Sequence, residues 1–74
     1  NPSTNIEFSI PNDIEVSLVI YDMKGQAVDE LVNSKLSSGY HSISWEANEF
    51  ASGVYFVSLN VAGKITTQKI MLVK

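Results

Sequence analysis

The sequence predicts an all-β protein, a small antiparallel sandwich, and three observations carry that reading. Apolar and polar residues alternate with period two in one segment after another, the spacing that turns one face of a strand to a core and the other to solvent. Turn formers recur every ~8 to 12 residues between those segments, the cadence of an all-β sandwich or barrel. The one tryptophan, Trp45, stands at mid-chain on the apolar side of its segment, where immunoglobulin-like sandwiches seat a core aromatic. These features together give six to seven short strands in an immunoglobulin-like β-sandwich. A small open barrel satisfies the same pattern and stands as the alternative.

The first strand covers residues 5–10, with Ile6, Phe8 and Ile10 alternating against Glu7 and Ser9. Pro11 has a fixed φ and no N–H, so it ends that ladder. After the turn at Pro11-Asn12-Asp13, residues 14–21 place Ile14, Val16, Leu18 and Ile20 on one face and Glu15, Ser17, Val19 and Tyr21 on the other. Asp22-Met23-Lys24-Gly25 has Asp first and Gly fourth, the arrangement of a type I turn closed by a residue of positive φ, so the chain folds back as a hairpin. The return strand covers residues 26–32. Its Ala27, Val28, Leu31 and Val32 also fit a helical turn, and a short strand followed by a bend is the favoured reading. Residues 33–39, rich in turn formers, read as a surface loop with Leu36 tucked beneath it.

The fourth strand covers residues 40–46, with His41, Ile43 and Trp45 on one face. Residues 47–52 cross to the other sheet, with Phe50 as their bulky anchor and Gly53 as a bendable backbone. The fifth strand covers residues 54–61, with Tyr55, Val57, Leu59 and Val61 inward. Ala62-Gly63 is a tight loop, and residues 64–74 run back as the last strand. A two-residue loop sets Tyr55 opposite Ile70 and turns Ile70 and Leu72 inward, which is the favoured register; a bulged loop would bring Met71 or Lys69 opposite instead.

Composition sets the limits. The chain has 74 residues, 45% apolar and 18% charged, which is one domain with one core, and at this size folding buries only about 60% of the surface that the unfolded chain exposes. There is no cysteine and a single histidine, so neither disulfides nor a metal staple supports so small a core, and a neighbouring domain of a longer parent chain is an expected support. Cysteine usage leaves the redox compartment open. Five lysines and no arginine stand against eight acids, a net charge of −3, which argues against a nucleic-acid partner. No apolar run approaches the roughly 20 residues of a membrane span. The first residue is Asn1, and no charged and apolar leader follows it, so the chain reads as a piece excised from a longer one.

Chemistry-bearing residues are sparse. His41 is the only imidazole, and no nucleophile elbow accompanies it, so it reads as a partly buried structural histidine. Asp22, Asp29 and Glu30 flank a hairpin without the close oxygen spacing of a calcium loop, so they read as a solvated face. No catalytic residue, cofactor, metal or small-molecule substrate is expected. Alternation turns Trp45 and Tyr55 into the core and leaves Val19, Tyr21, Val54 and Phe56 as an outer-face set that forms one apolar patch. Two readings of that patch are equally open: an interaction surface, or a satellite cluster shielded by the loop at residues 33–39.

Several motifs in order carry a resemblance to a known family. They are Asn1-Pro2-Ser3-Thr4 before an alternating strand; Val16-Ser17-Leu18-Val19-Ile20-Tyr21-Asp22 leading to Gly25; Gly39-Tyr40-His41 leading to Trp45; Ser52-Gly53-Val54-Tyr55-Phe56 leading to Gly63; and Lys69-Ile70-Met71-Leu72-Val73-Lys74 at the end. Over its whole length the chain resembles the type A C-terminal sorting domain of the type IX, or Por, secretion system of Bacteroidota. The resemblance implies a non-catalytic signal that directs a folded cargo across the outer membrane, via the periplasm, to the cell surface or medium. It implies the outer-membrane secretion machinery and a sortase-like protease as partners, with any cleavage site before Asn1. By match to the family's motifs, recognition is expected at Gly53, Tyr55, Gly63, Lys69 and Lys74. The alternative is an accessory sandwich module, carbohydrate-binding or merely a spacer, of a secreted xylanase or cellulase.

Overall fold

The computed structural model describes residues 3–73, and among these there are six strands and no helix. They are β1 (Ser3–Ile10), β2 (Ile14–Tyr21), β3 (Ala27–Leu36), β4 (Gly39–Glu46), β5 (Gly53–Val61) and β6 (Lys64–Leu72). β1 and β4 form a two-stranded antiparallel sheet. The other four form an antiparallel sheet in the order β3-β2-β5-β6. The two sheets pack as a sandwich, as the alternation requires, because each has one apolar face to bury.

The core follows the period-two pattern. From the large sheet Val16, Leu18 and Ile20 of β2, Val57 and Tyr55 of β5, and Leu72 of β6 are buried, and Ile10, Trp45 and Ala47 meet them from the other side. On the small sheet Ile6 stands opposite Ile43 and Phe8 opposite His41, all on the inward face, while Asn5, Glu7, Ser42 and Ser44 face out and are exposed. Burying a side chain of Leu or Ile size contributes ~1.5–3 kcal/mol, so the four largest fully enclosed side chains, Trp45, Leu18, Ile20 and Val16, dominate a core of this size.

The turns match their residues. At the β2–β3 hairpin Gly25 has φ 85°, its N–H bonds the Asp22 carbonyl at 3.1 Å and the Asp22 N–H bonds the Gln26 carbonyl at 2.9 Å. The Asp22 carboxylate accepts from the Lys24 and Gln26 amides at 2.9 and 3.0 Å. The β5–β6 loop is two residues long, with φ 54° at Ala62 and 85° at Gly63, the twist-matched type I′ hairpin. That loop fixes the register with Tyr55 opposite Ile70, so Leu72 is buried and Ile70 half-buried, as the two-residue loop predicts.

The segment after β2 departs from expectation. Residues 33–36 are not loop: β3 runs on to Leu36, with Asn33 opposite Ser17 and Leu36 opposite Ile14, and only Ser37 and Ser38 separate it from β4. Two bulges precede this regular stretch and obscure the pattern of the strand. The pairing jumps between Leu18/Val19 and between Ile20/Tyr21, which leaves Leu31 and Val28 without a partner on β2. Each extra residue inverts the alternation beyond it, so Val28, Leu31 and Val32 fall at helix-like spacing in an unbroken strand.

Candidate recognition surface

β5 and β6 carry most of the residues singled out from the sequence. The buried Tyr55 side chain packs edge-on to Trp45 (ring centroids 5.4 Å apart, 69° between planes) and near Phe50 (6.3 Å), while Trp45 and Phe50 lie 5.5 Å apart. The Tyr55 hydroxyl donates to the Ala51 carbonyl at 2.7 Å, tying the β4–β5 crossover to the strand it enters. Gly53 begins that strand at φ 153° and Gly63 closes the hairpin at 85°; a Cβ on either would meet nothing within 4 Å, so the backbone angle alone selects glycine there. Gly63 also donates its N–H to Asn60 Oδ1 at 3.0 Å. Gly53, Gly63 and Tyr55 therefore each have a full structural role.

Lys69 does not. It is exposed and stands opposite Phe56 on the outer face. Lys74 lies outside the described residues.

The outer-face set assembles as alternation predicts. Tyr21 stands opposite Phe56 and Val19 opposite Ser58 across β2 and β5, and Val54 stands opposite Met71 across β5 and β6. Val19, Tyr21, Val54 and Phe56 are all half-buried. The loop that was to shield them does not exist, because residues 33–36 are part of β3, and its Asn33, Ser34 and Lys35 are exposed at the other end of the sheet. Two methionines extend the patch: Met71, 72% exposed, and Met23 in the hairpin turn, 73% exposed. Met71 was legible in the chosen register, which turns Ile70 inward and Met71 outward beside Val54. Met23 had no such signal, since nothing in a turn sequence says which face it adjoins.

Elsewhere the polar residues have local work. Trp45 Nε1–H donates to Asp29 Oδ2 at 3.0 Å, so Asp29 is not on a solvated face: the bulge turns it inward on β3, where it joins the two sheets through the indole. Asp22 caps its turn, and Glu30 alone of the three is exposed. Among the described residues no three His, Cys, Asp or Glu side chains gather as a metal site. His41 is half-buried, its ring stacked on Phe8 (5.6 Å, 25°) and its Nε2 2.7 Å from the Ser37 carbonyl. Tyr40, 66% exposed, lies on the outer face of the small sheet; its hydrogen bond to Glu7, then burial, then the Glu7 charge hold the phenol above its ordinary value of 10.0.

The model of a family described as a secretion system C-terminal sorting domain matches residues 1–74. No curated protein and no solved structure gives a match.

Proposed function

The chain belongs to the secretion system C-terminal sorting domain family, and from that premise we propose that it is the C-terminal module of a larger secreted protein, carrying that cargo through the periplasm and across the outer membrane to the cell surface. Such domains are non-catalytic sorting signals for the type IX secretion machinery, and proteins that bear them are exported to the surface or the medium. The match along the whole chain carries the reading. The geometry supports it: the apolar outer face of β2 and β5 has no cover among the described residues, and β6 ends the sheet with one side unpaired, an arrangement suited to capture by a receptor.

Lys69, Lys74 and the patch of Val19, Tyr21, Val54 and Phe56 are the receptor-facing residues in this proposal, with Gly53, Tyr55 and Gly63 shaping the hairpin that presents them. A sortase-like protease acting before Asn1 completes it, in a bacterium of the Bacteroidota type. The test is a reporter protein fused ahead of residues 1–74 in a type IX-competent bacterium. The fusion should reach the cell surface, and removal of residues 69–74 should leave it in the periplasm; surface display after that deletion would sink the reading. Binding of the chain to insoluble xylan or cellulose, lost on Tyr21→Ala or Phe56→Ala, would support the accessory carbohydrate-binding module instead.

A further inference from the structure

The net charge of −3 conceals a partition. Residues 1–49 hold all eight acids and two lysines, a net of −6, while residues 50–74 hold three lysines and no acid, a net of +3. Folding places that difference at the sheet edges. Four strands have an unpaired side among the described residues: β1, β4, β3 and β6. β1 carries Glu7, β4 carries Glu46, and β3 carries Asp29 and Glu30 against Lys35, a net of −1; β6 carries Lys64 and Lys69 and no acid. Alternation puts Lys64 on the inward side, opposite Val61, and Lys69 on the outward side, opposite Phe56.

β6 is also the strand with the least side-chain cover. All six residues from Lys64 to Lys69 are exposed, including Thr66 and Gln68, which stand opposite the inward Leu59 and Val57. The small sheet leaves that corner open as a groove of about 480 Å³, bounded by Ser9, Pro11 and Ile14 on one side and Leu59, Val61 and Thr66 on the other. β6 pairs with β5 alone, through nine pairs in unbroken register, and its first six residues have no other cover among the described residues. Its Ile65, Thr66 and Thr67 are strong strand formers, and its free side offers a regular row of backbone donors and acceptors.

We infer that the free edge of β6 is a strand-addition site for an extended, acidic segment of the secretion machinery that carries a carboxylate on each face among apolar residues. This rests on the sorting reading and names the chemistry of the partner. Edge lysines normally discourage pairing between copies. Here Lys64 and Lys69, one on each face, repel a second β6 and attract carboxylates on both sides of an incoming strand. Main-chain bonds supply attachment and the lysines supply selection. The other three edges, each with a net charge of −1, repel the same segment.

The test uses two synthetic probes, nine residues long to match β6, one of Val and Thr with two Glu five positions apart, so that one falls on each face as Lys64 and Lys69 do, and the other with two Lys at the same positions. Backbone amide exchange of the chain is followed by NMR with each probe at low salt. The Glu peptide should slow alternate amides in residues 64–69 by about tenfold or more, in the range of electrostatic selection at interfaces, and leave β1, β3 and β4 unchanged. The Lys peptide should do nothing, and the Lys64→Glu/Lys69→Glu double variant should reverse the preference. Equal response to both peptides, protection on another edge, or no reversal in the double variant would overturn the inference. So would protection of β6 without peptide that grows with protein concentration, since the occupant would then be a second copy. The export experiment is independent: loss of export on deleting residues 69–74 with no peptide selection keeps the sorting reading and removes strand addition, and peptide selection with normal export does the reverse.

Discussion

β3 and β6 are the two edges of the same sheet, ten and nine residues long, and the chain treats them differently. β3 is broken by two bulges, and Asp29 at one of them reaches across to the indole of Trp45 on the opposing sheet, so this flank is closed by a polar tie and an aromatic cluster. Among the described residues β6 has neither a bulge nor a polar tie to the small sheet, and the six residues from its start are exposed on both faces. Bulges and inward charges are common means of blunting an edge. Where a domain this small spends them on one edge and omits them on the other, stability and presentation have been assigned to opposite flanks.

The sharpest way to break that contrast is at the closed flank. Trp45→Ala removes the largest fully buried side chain and the packing partner of both Phe50 and Tyr55, and large aromatic truncations in a core cost about 3–5 kcal/mol. In a domain whose whole stability is of the order of 5 kcal/mol, urea titration followed by tyrosine fluorescence should show a chain largely unfolded before denaturant is added. Retention of a cooperative transition near the parent midpoint would mean that the aromatic cluster is not what holds the sheets together.

Asp29→Ala is the next largest. It leaves the rings in place but strands the buried Trp45 N–H, and an unsatisfied buried donor costs roughly 1–3 kcal/mol. The urea midpoint should fall with an unchanged slope, while Glu30→Ala, one residue along and exposed, should move it by less than about 0.5 kcal/mol. Equal effects at the two positions would show that the bulge, and not the indole bond, seals this edge.

The same contrast explains what was legible beforehand. Alternation identified the inward faces of β2, β4 and β5, and the two-residue loop at Ala62-Gly63 identified the register of β6, because both rules depend only on neighbours in sequence. For β3 the favoured strand over residues 26–32 holds, but Asn33, Ser34 and Lys35 read as turn formers though they pair with β2, and Val28 and Leu31 blur the alternation because a bulge is a property of two strands that neither strand displays alone. Asp29 was misplaced for the same reason, since one unpaired residue decides whether it faces solvent or Trp45. On the recognition surface, Val19, Tyr21, Val54 and Phe56 were found by parity, and Met71 followed from the chosen register. That these residues lie uncovered was open until residues 33–36 proved to be strand, because cover is set by the path of a distant segment.

The smallest effect lies on the presenting flank and has the opposite sign. Ala62 has φ 54°, a left-handed conformation that costs an L residue with a Cβ on the order of 1–2 kcal/mol, and it occupies the first position of a type I′ turn, where Asn followed by Gly is the favoured pair. Ala62→Asn should therefore raise stability by up to about 1 kcal/mol, read as a higher urea midpoint. It should also slow amide exchange along β5 and β6 more than along β1 and β4, since the hairpin is the unit being pinned. If protection rose equally in all strands, the β5–β6 hairpin would open only with the whole domain, and the two flanks would share one stability. If it rose in the hairpin alone, β6 can loosen from β5 while the Trp45 cluster stays closed.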